Sequence, residues 1–417
     1  MLNPTTQRHI AKVGMESQRA IGSVFSNIPM GKPDPILGLG QDFRMDPAKR
    51  KVNLSIGVYR DDADQPFVLE CVKQATLGTN MDYAPVTGTA SFVEEAQKLC
   101  FGPTCAALRD GRIASCQTLG GTGALRIGGD LLNRFVANCN RIYGPDVGYP
   151  NHESIFAKAG MELTPYSYYD PATKGFNLAG MLECLDKAPE GSVILVHACA
   201  HNPTGVDPTH DDWRQVCDVI KRRNHIPFVD MAYQGFATGQ SDYDAFVPRH
   251  LVDMVPNLIV AQSFSKNFGL YGHRCGALHI STASAEEAKR LVSQLALLIR
   301  PMYSNPPLYG AWVVSSILKD PQLTALWKKE LKQMSSRIAE VRKRLVSELK
   351  ACGSVHDWSH IERQVGMMAY TGLTREQVEL LRSEYHIYMT LNGRAAVSGL
   401  NSTNVEYVSQ AIHNVTK

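Results

Sequence analysis

The middle of the chain alternates short apolar runs with longer amphipathic stretches. The apolar runs of strand length lie at 141–143, 192–197, 227–230, 258–262 and 276–280. Between them, residues 211–224 and 284–298 carry apolar side chains at helical spacing. Such alternation is typical of an α/β fold, in which helices cover both faces of a mostly parallel sheet. The pattern predicts this fold, with ligands bound at the carboxyl ends of the strands.

A different pattern follows, because residues 321–350 read as one long, charged helix with a regular apolar stripe. We expect this helix to join the central domain to a smaller carboxyl-terminal one. That second domain should contain strands near 367–370 and 387–389, beside further helices.

Composition narrows the functional classes. Lysine plus arginine (43) nearly balances aspartate plus glutamate (40) over 417 residues, so no strong field attracts nucleic acid or anionic membranes. No apolar run reaches the length of about 18 residues that a membrane span needs. The ten cysteines show no metal-ligand spacing, which indicates free thiols in a reducing compartment and predicts no metal site. The first 22 residues are basic, as in a transit peptide or equally in a frayed polar terminus.

Lys266 is the strongest catalytic candidate. It follows Ser263 and Ser265 directly after a predicted strand, and Arg274 lies eight residues further on. A buried lysine loses solvation, so its pKa falls and its amine can form a Schiff base with a carbonyl. The hydroxyls and Arg274 could bind the anionic handle of that carbonyl compound, and pyridoxal phosphate is an aldehyde with such a handle. An ordinary surface lysine is the alternative.

Two other strand ends carry polar groups. Asp230 closes one apolar run and needs a cationic partner if it is buried, which a protonated pyridine nitrogen would supply. Tyr233 could then donate a hydrogen bond to the phenolate oxygen of that ring. The alternative for Asp230 is a structural role, in which its side chain caps the next helix. Asn202 stands in an Asn-Pro-Thr-Gly turn after another strand, and that turn can project its side chain into the site.

The glycine-rich segment 120–126 precedes a predicted helix at 124–135, so its backbone N–H groups could bind a phosphate. A plain turn is one alternative. Another is a degraded dinucleotide fingerprint with Asp146 as its acidic residue, which would make the protein a nicotinamide-dependent oxidoreductase. Arg300 and Arg394 lie in apolar or turn-rich contexts. Because a planar guanidinium binds a carboxylate through two parallel hydrogen bonds, two such arginines suggest a dicarboxylic substrate. The alternative is that each forms a surface salt bridge.

Taken together, segments 121–126, 197–205, 230–235, 263–274 and 300–307 resemble the aspartate aminotransferases, which are class I, fold-type I pyridoxal-phosphate-dependent enzymes. Segments 33–38, 300–304 and 387–390 look most like the mitochondrial members. The resemblance implies a large domain with a mostly parallel sheet between helices, and a smaller α+β domain formed by both chain ends. The implied division is a possible presequence at 1–22, an arm and small-domain part at 23–66, a large cofactor domain at 67–325 and a small domain at 326–417.

The resemblance also implies roles for residues at matching positions. Lys266 would be the Schiff-base lysine, with Asp230 and Tyr233 as the other catalytic residues. The remaining cofactor-binding residues would be Gly121, Thr122, Tyr149, His152, Asn202, Ser263, Ser265, Arg274 and Tyr83. Substrate would be bound by Gly57, Tyr149, Asn202, Arg300 and Arg394. Arg394 would take the α-carboxylate and Arg300 the side-chain carboxylate, with Tyr83 and Arg300 reaching across a homodimer.

The implied reaction is a ping-pong transamination from aspartate to 2-oxoglutarate, in the mitochondrial matrix or alternatively in the cytoplasm. Four positions depart from the family pattern, and we expect them to loosen cofactor binding or widen the substrate range: Tyr149 for a tryptophan, Gly120 for a serine, Ser55 for a glycine and Met368 for an aromatic residue. A broad-specificity aromatic aminotransferase is therefore the nearest alternative, and a non-catalytic binding protein is a more distant one.

Overall fold

The computed structural model describes residues 34–78, 80–137 and 139–417, so the segment predicted as a presequence lies outside the described residues. In chain order the strands are β1 (Val52–Asn53), β2 (Ile113–Leu119), β3 (Arg141–Pro145), β4 (Glu162–Tyr166), β5 (Tyr169–Asp170), β6 (Gly175–Phe176), β7 (Val193–His197), β8 (Ile226–Met231), β9 (Ile259–Ser263), β10 (Cys275–Ser281), β11 (Met368–Tyr370), β12 (Ile387–Tyr388) and β13 (Arg394–Ala396).

The helices connect and cover these strands. They are α1 (Leu37–Met45), α2 (Glu70–Gln74), α3 (Ala90–Phe101), α4 (Ala106–Arg109), α5 (Gly120–Phe135), α6 (Asn151–Lys158), α7 (Leu178–Lys187), α8 (His210–Arg222), α9 (Ser241–Asp244), α10 (Phe246–Met254), α11 (Ala285–Tyr303), α12 (Leu308–Lys319), α13 (Pro321–Ala351), α14 (Ser359–Arg363), α15 (Arg375–Tyr385) and α16 (Val405–Val415). None of these described helices is both long and apolar enough to cross a membrane.

A seven-stranded sheet forms the centre, in the order β2-β10-β9-β8-β7-β3-β4. Strand β10 runs antiparallel to both of its neighbours, and the other neighbouring pairs are parallel. Alternate residues of one strand enter different cores, as the two-residue period of a strand requires. Val193 packs in the core that contains α5 and α11, and Ile194 packs in the core that contains α7 and α8. Both faces are therefore covered, which confirms the predicted α/β fold.

Several boundaries differ from the sequence prediction. Strand β2 was not predicted, because its polar residues look like a surface pattern although they are buried and bonded: Ser115 shares a hydrogen bond of 2.8 Å with Nδ1 of His279. Helix α5 begins at Gly120 rather than at residue 124, so the glycine-rich segment is the first turn of the helix. Helix α11 continues past the predicted end at residue 298 and includes Arg300.

The long helix α13 contributes to a third core together with the carboxyl-terminal elements. Strand β1 pairs in parallel with β12, and β11 pairs antiparallel with β13. Both small pairings lie outside the central sheet. Residues from the beginning and the end of the described chain thus lie side by side, which supports a small domain formed by both chain ends. The domain boundaries given above remain a prediction.

Candidate active site

A cavity of about 360 Å³ lies at the carboxyl ends of β7, β8 and β9, the place that an open α/β sheet offers for ligands. The predicted site residues that line it are Gly57, Gly121, Thr122, Tyr149, Asn202, Asp230, Tyr233, Ser263, Ser265, Lys266, Arg274 and Arg394. His152 lies behind this lining, where it contacts Asp230. Residues that are far apart in the sequence therefore meet in one cavity.

Lys266 follows β9 closely, and its Nζ lies 5.2 Å from the centre of the Tyr233 ring. Burial lowers the pKa of Lys266 to about 8, helped by the charge of Arg274 and opposed by Asp230. The amine is therefore easier to deprotonate than an ordinary lysine, which is the condition for a nucleophile or a base near neutral pH.

Asp230 is buried at the end of β8, and its Oδ2 lies 2.8 Å from Nε2 of His152. Burial is the largest single influence and would raise the pKa of Asp230, but the hydrogen bond with His152 and the neighbouring positive groups, Lys266 included, together outweigh it, so the pKa lies below its ordinary value. His152 comes from the first turn of α6, which places the imidazole beside the strand end. The pair keeps a negative charge in a largely buried position.

A line of rings extends from this pair. The His152 and His197 rings meet edge to face at 5.2 Å, and His201 follows at 4.3 Å from His197. Burial lowers the pKa of His197 to about 3, so this imidazole is neutral at physiological pH. Its Nδ1 accepts a hydrogen bond from the backbone N–H of Asn202 at 3.2 Å, which ties the neutral ring to the Asn202 turn.

Asp207 holds the other side of the same turn. Its carboxylate accepts backbone hydrogen bonds from Ala200 at 2.6 Å and from His201 at 2.8 Å. Ala200 has a positive φ of 48°, a conformation that such bonds help to maintain. Our sequence reasoning missed Asp207, although an aspartate two residues beyond the Asn-Pro-Thr-Gly turn is a signal for a side chain that caps a turn.

One end of the cavity combines the first turn of α5 with Arg274. The guanidinium of Arg274 donates to Oγ of Ser265 at 3.3 Å and to two backbone carbonyls. A side chain at Gly120 would approach Nη2 of Arg274 within 2.6 Å, and the φ of this glycine is +69°. The departure from serine at Gly120 therefore leaves room for the guanidinium beside the helix N-terminus.

Arg394 enters the cavity from β13, a strand outside the central sheet, and it is buried. Its Nη2 donates to the backbone carbonyl of Ser55, and its Nε has no partner in the described part of the chain. Burial lowers the pKa of Arg394, although a guanidinium retains its charge. Because Ser55 contributes only its carbonyl here and its hydroxyl bonds to Asn53, the departure from glycine leaves this contact intact.

Gly57, Met368 and Tyr149 also line the cavity. A side chain at Gly57 would overlap the terminal methyl of Met368, so the two residues fit closely. The ring of Tyr149 stands edge to face against His152 at 5.2 Å, and burial, followed by the charge of Asp230, raises its pKa. Both departures, Tyr149 and Met368, thus face the cavity itself.

Besides His152, two predicted site residues do not line the cavity of this single chain. Tyr83 is exposed, and Arg300 is exposed in the last turn of α11, where its guanidinium bonds to Ser304. That Tyr83 and Arg300 serve a second subunit stays a prediction. Tyr271, by contrast, was not predicted but lines the cavity, and its hydroxyl accepts the backbone N–H of Tyr59 at 3.0 Å.

Comparison with known proteins decides the family. The family model described as aminotransferase class I and II matches residues 49–412. The chain belongs to this family. The mitochondrial aspartate aminotransferase of Xenopus tropicalis is 47% identical over 405 residues, which cover 96% of this chain and 95% of that protein.

Solved structures agree with this assignment. A mitochondrial aspartate aminotransferase from Trypanosoma brucei is 99% identical with a TM-score of 0.90, and the match covers 91% of this chain and all of that one. An aromatic-amino-acid aminotransferase from Burkholderia pseudomallei, covalently bound to pyridoxal phosphate, is 42% identical with a TM-score of 0.91 over 95% of this chain and all of that one. The chain is therefore a pyridoxal-phosphate-dependent aminotransferase, and the oxidoreductase alternative is left without support.

The residues of the cavity fit this cofactor. Buried polar atoms usually have partners, yet Oδ1 of Asn202 and Nε2 of His197 have none in the described part of the chain. A ligand in the cavity would meet an amine on Lys266, a carboxylate on Asp230 and a guanidinium with helical N–H groups at Arg274. These are the groups that an aldehyde, a protonated ring nitrogen and a phosphate require.

Some of the same residues could also hold a metal ion. His152, His197 and Asp230 offer ligand atoms within 4.8 Å of one another. However, Nε2 of His152 already shares a hydrogen bond with Asp230, so these two side chains already satisfy each other.

Proposed function

We propose that this protein is an aspartate aminotransferase, which transfers the amino group reversibly from L-aspartate to 2-oxoglutarate and gives oxaloacetate and L-glutamate. One observation carries the proposal: the Lys266 amine, the Asp230 carboxylate and the buried Arg394 guanidinium all line one cavity. The names of the relatives support the choice of aspartate as donor.

We assign cofactor binding to groups at the strand ends. Asp230 would contact the ring nitrogen, while Asn202 and Tyr233 would contact the phenolate oxygen. Gly121, Thr122, Ser263, Ser265 and Arg274 would bind the phosphate. When bound, pyridoxal phosphate supplies a carbonyl that joins the substrate amine and a ring that withdraws electrons from the substrate Cα. The anionic Asp230 would favour the cationic form of that ring.

Lys266 would move the proton in both half-reactions. When its Nζ is free and uncharged, Lys266 would accept the proton from the substrate Cα and would then donate it to the bound cofactor. A pKa of about 8 suits both steps, because the amine is then neither fully protonated nor strongly acidic near neutral pH. Release of the oxo acid then lets 2-oxoglutarate enter the same site.

Two arginines would bind the substrate. Arg394 would hold the α-carboxylate with two parallel hydrogen bonds, for which its unpartnered Nε is available. Arg300 would hold the second carboxylate, but only from a neighbouring subunit, because in its own chain it lies outside the cavity. We therefore propose a homodimer in which Tyr83 and Arg300 complete the site of the other subunit.

The dimer proposal has a direct test by subunit mixing. Lys266→Ala and Arg300→Ala homodimers, each nearly inactive, are dissociated, mixed and reassociated. If Arg300 serves the other subunit, each hybrid dimer contains one intact site, and about a quarter of the original activity returns at random assortment. If mixing restores no activity, Arg300 serves its own chain or does not serve the site.

The substrate proposal is tested by donor preference. Purified protein is reconstituted with pyridoxal phosphate, and kcat/KM is measured for aspartate, tyrosine and phenylalanine with 2-oxoglutarate as acceptor. We expect aspartate to be preferred by at least about 100-fold, since Arg300 and Arg394 would both be paired only with a dicarboxylate. If none of the three donors reacts, the proposal is overturned.

A broad-specificity aromatic aminotransferase is the second candidate. Met368 favours it, because an unbranched thioether in the wall adapts its shape to neighbours more easily than a rigid ring. The structural likeness to a bacterial aromatic-amino-acid aminotransferase supports the same candidate. Comparable kcat/KM values for phenylalanine and aspartate would replace the first proposal with this one.

We also propose that the protein acts in the mitochondrial matrix, with the cytoplasm as the alternative. The relatives from Xenopus and Trypanosoma brucei are both named as mitochondrial. Fractionation of cells that produce the full chain with a carboxyl-terminal tag would test this. Recovery of the tag in the cytosolic fraction alone would contradict it.

A further inference from the structure

Arg342 lies on the long helix α13 with its side chain almost entirely buried, at 2% exposure. Its Nη1 donates to the carbonyl of Ile361 at 3.4 Å, and its Nη2 donates to the carbonyls of Val365 at 3.3 Å, Gly366 at 2.7 Å and Met368. Burial lowers the pKa of Arg342 to about 9, and within the described part of the chain no acidic group offsets this effect. The guanidinium is thus compensated by carbonyls alone.

Burying a charge without an acidic partner costs desolvation free energy, and an apolar side chain of similar size could pack in the same place without that cost. What the planar guanidinium provides is geometry, because it directs several donors at once to fixed positions. Here those donors gather carbonyls from Ile361 in α14 to Met368 at the start of β11, across residues 364–367, which belong to neither a helix nor a strand. Arg342 therefore determines the path of this segment.

The segment leads straight to the cavity. Val365 donates its N–H to the carbonyl of Gly205 at 2.7 Å, which ties the segment to the turn that carries Asn202. A side chain at Gly205 would lie 2.8 Å from the carbonyl oxygen of Met368, so the approach is close. Met368 then turns its side chain into the cavity against Gly57.

The same segment also sets the neighbouring strand. In the β11–β13 pair, Tyr370 stands opposite Arg394 and Met368 stands opposite Ala396. A displacement of Met368 would therefore also be transmitted to the strand that carries the buried arginine. The shape of the substrate wall depends on where the carbonyl of Met368 is held.

We propose that Arg342 is a positioning residue that sets the place of the Met368 wall, and through it the size of the substrate side chain that the active site admits. Arg342 does not touch the cavity, since it is absent from the lining of the described residues. The proposal deepens the proposed function and rests on it: Met368 limits the space next to the substrate side chain, and Arg342 limits the movement of Met368.

The test compares ligands that share one carboxylate and differ at the other end, where succinate has a second carboxylate and 3-phenylpropionate has a bulky ring. Dissociation constants of succinate and of 3-phenylpropionate are measured by calorimetry on the cofactor-loaded enzyme, for the parent, Arg342→Met and Arg342→Lys. Methionine keeps the reach of the side chain but has no donors, whereas lysine keeps a charge and part of the hydrogen bonding. We expect Arg342→Met to reduce the preference for succinate about tenfold, and Arg342→Lys to reduce it less.

Ile338→Ala is the matched control for stability. Ile338 is buried one turn earlier on the same helix, and its truncation leaves a cavity in the same core without touching the carbonyls. We expect it to lower the melting temperature of the enzyme and to leave the ratio of the two dissociation constants unchanged. If Ile338→Ala shifts the ratio as much as Arg342→Met does, the role of Arg342 is merely structural and the proposal is overturned.

A double-mutant cycle decides the path and covers the case in which Arg342→Met does not fold. In a Met368→Ala background, Arg342→Lys should change the ratio much less than in the parent background, because the side chain through which Arg342 mainly acts is missing. An equal effect of Arg342→Lys in both backgrounds would overturn the proposal. Failure of the proposed function would look different, because the parent enzyme itself would then transfer no amino group from aspartate.

Discussion

The floor and the wall of the cavity are built in different ways. We define the floor as the residues at the ends of the central strands, namely Asn202, Asp230, Ser263 and Lys266. We define the wall as Gly57, Met368 and Arg394. The strands beneath the floor are each paired on both sides within the seven-stranded sheet. The strands beneath the wall, β11 and β13, pair only with each other over three residues.

The wall is held instead by side chains that bond to backbone carbonyls. Arg394 reaches the carbonyl of Ser55, 339 positions away in the chain, and Arg342 gathers the carbonyls before β11. The side-chain amide of Gln364 also bonds to the backbone of Tyr370: its Nε2 donates to the carbonyl at 2.9 Å, and its Oε1 accepts the N–H at 3.0 Å. A sheet gives the floor a shape that does not depend on any single side chain, whereas single guanidinium groups determine the shape of the wall. Changes in the floor should therefore alter chemistry, and changes in the wall should alter binding.

The largest effect should come from the floor. Lys266→Ala removes the group that would move the proton, so kcat should fall by about 10⁴-fold, measured as oxaloacetate formed from aspartate and 2-oxoglutarate. The fold should not suffer. The pKa of Lys266 is lowered to about 8 in the folded state, which means that burial of its charged form costs stability below that pH. At pH 7 the cofactor-free variant should melt no lower than the parent.

Lys328→Ala is the control for this change. Lys328 is exposed and pairs with Asp242 at 3.3 Å, so its loss should leave activity unchanged and stability nearly so. Retained transamination in the Lys266→Ala variant would place the proton transfer on another group, and the floor would lose its assigned chemistry.

The next largest effect should come from the wall. Arg394→Lys keeps the positive charge but loses the fork, so two parallel hydrogen bonds to a carboxylate can no longer form. We expect kcat/KM for aspartate to fall about 100-fold, mainly through KM. Arg382→Lys is the matched control, because Arg382 forms an exposed ion pair with Asp42 at 2.8 Å and should change kcat/KM less than about twofold. A loss confined to kcat in Arg394→Lys would contradict the division between floor and wall.

Floor residues could be predicted from the sequence because each follows an apolar strand within a few positions. Lys266 and Asp230 could be found from the apolar run before each of them, because ligands of an open α/β sheet bind at the carboxyl ends of its strands. His152 could not be found in this way, since it meets Asp230 from 78 positions away, and only the resemblance to a family indicated it. The whole strand β2 was also missed, because buried hydrogen bonds to polar side chains leave no apolar pattern.

The wall was harder still. Nothing in the sequence separates Arg342 from the other arginines of α13, since its distinguishing feature is a set of carbonyls that belong to a segment 19 to 26 positions away. Met368 was noted only as a departure from a family pattern. Side chains that bond to irregular backbone become visible when the backbone path is known, and the path itself depends on them.

The smallest predicted effect concerns the contact between the residues that follow α1 and strand β12. Asp46, just after α1, accepts hydrogen bonds from the Tyr388 hydroxyl at 2.6 Å and from Ala48 N–H at 2.9 Å, and it contacts Nδ1 of His386 at 2.8 Å. The Tyr388 hydroxyl, the Ala48 N–H and His386 lower the pKa of Asp46 to about 2. Since β12 carries Tyr388, the carboxylate links the beginning of the described chain to its end.

This link should depend on pH in one direction. The folded pKa lies below the unfolded value, so the stabilisation is complete above the ordinary aspartate pKa and is lost as the pH falls towards 2. Asp46→Asn should therefore lower the melting temperature at pH 6, and its difference from the parent should shrink as the pH falls towards 2.5. Tyr388→Phe, which removes the largest cause, should show part of the same trend. A difference that stays constant over this range would mean that the ionised carboxylate does not hold the two chain ends together, and the wall would then depend on its arginines alone.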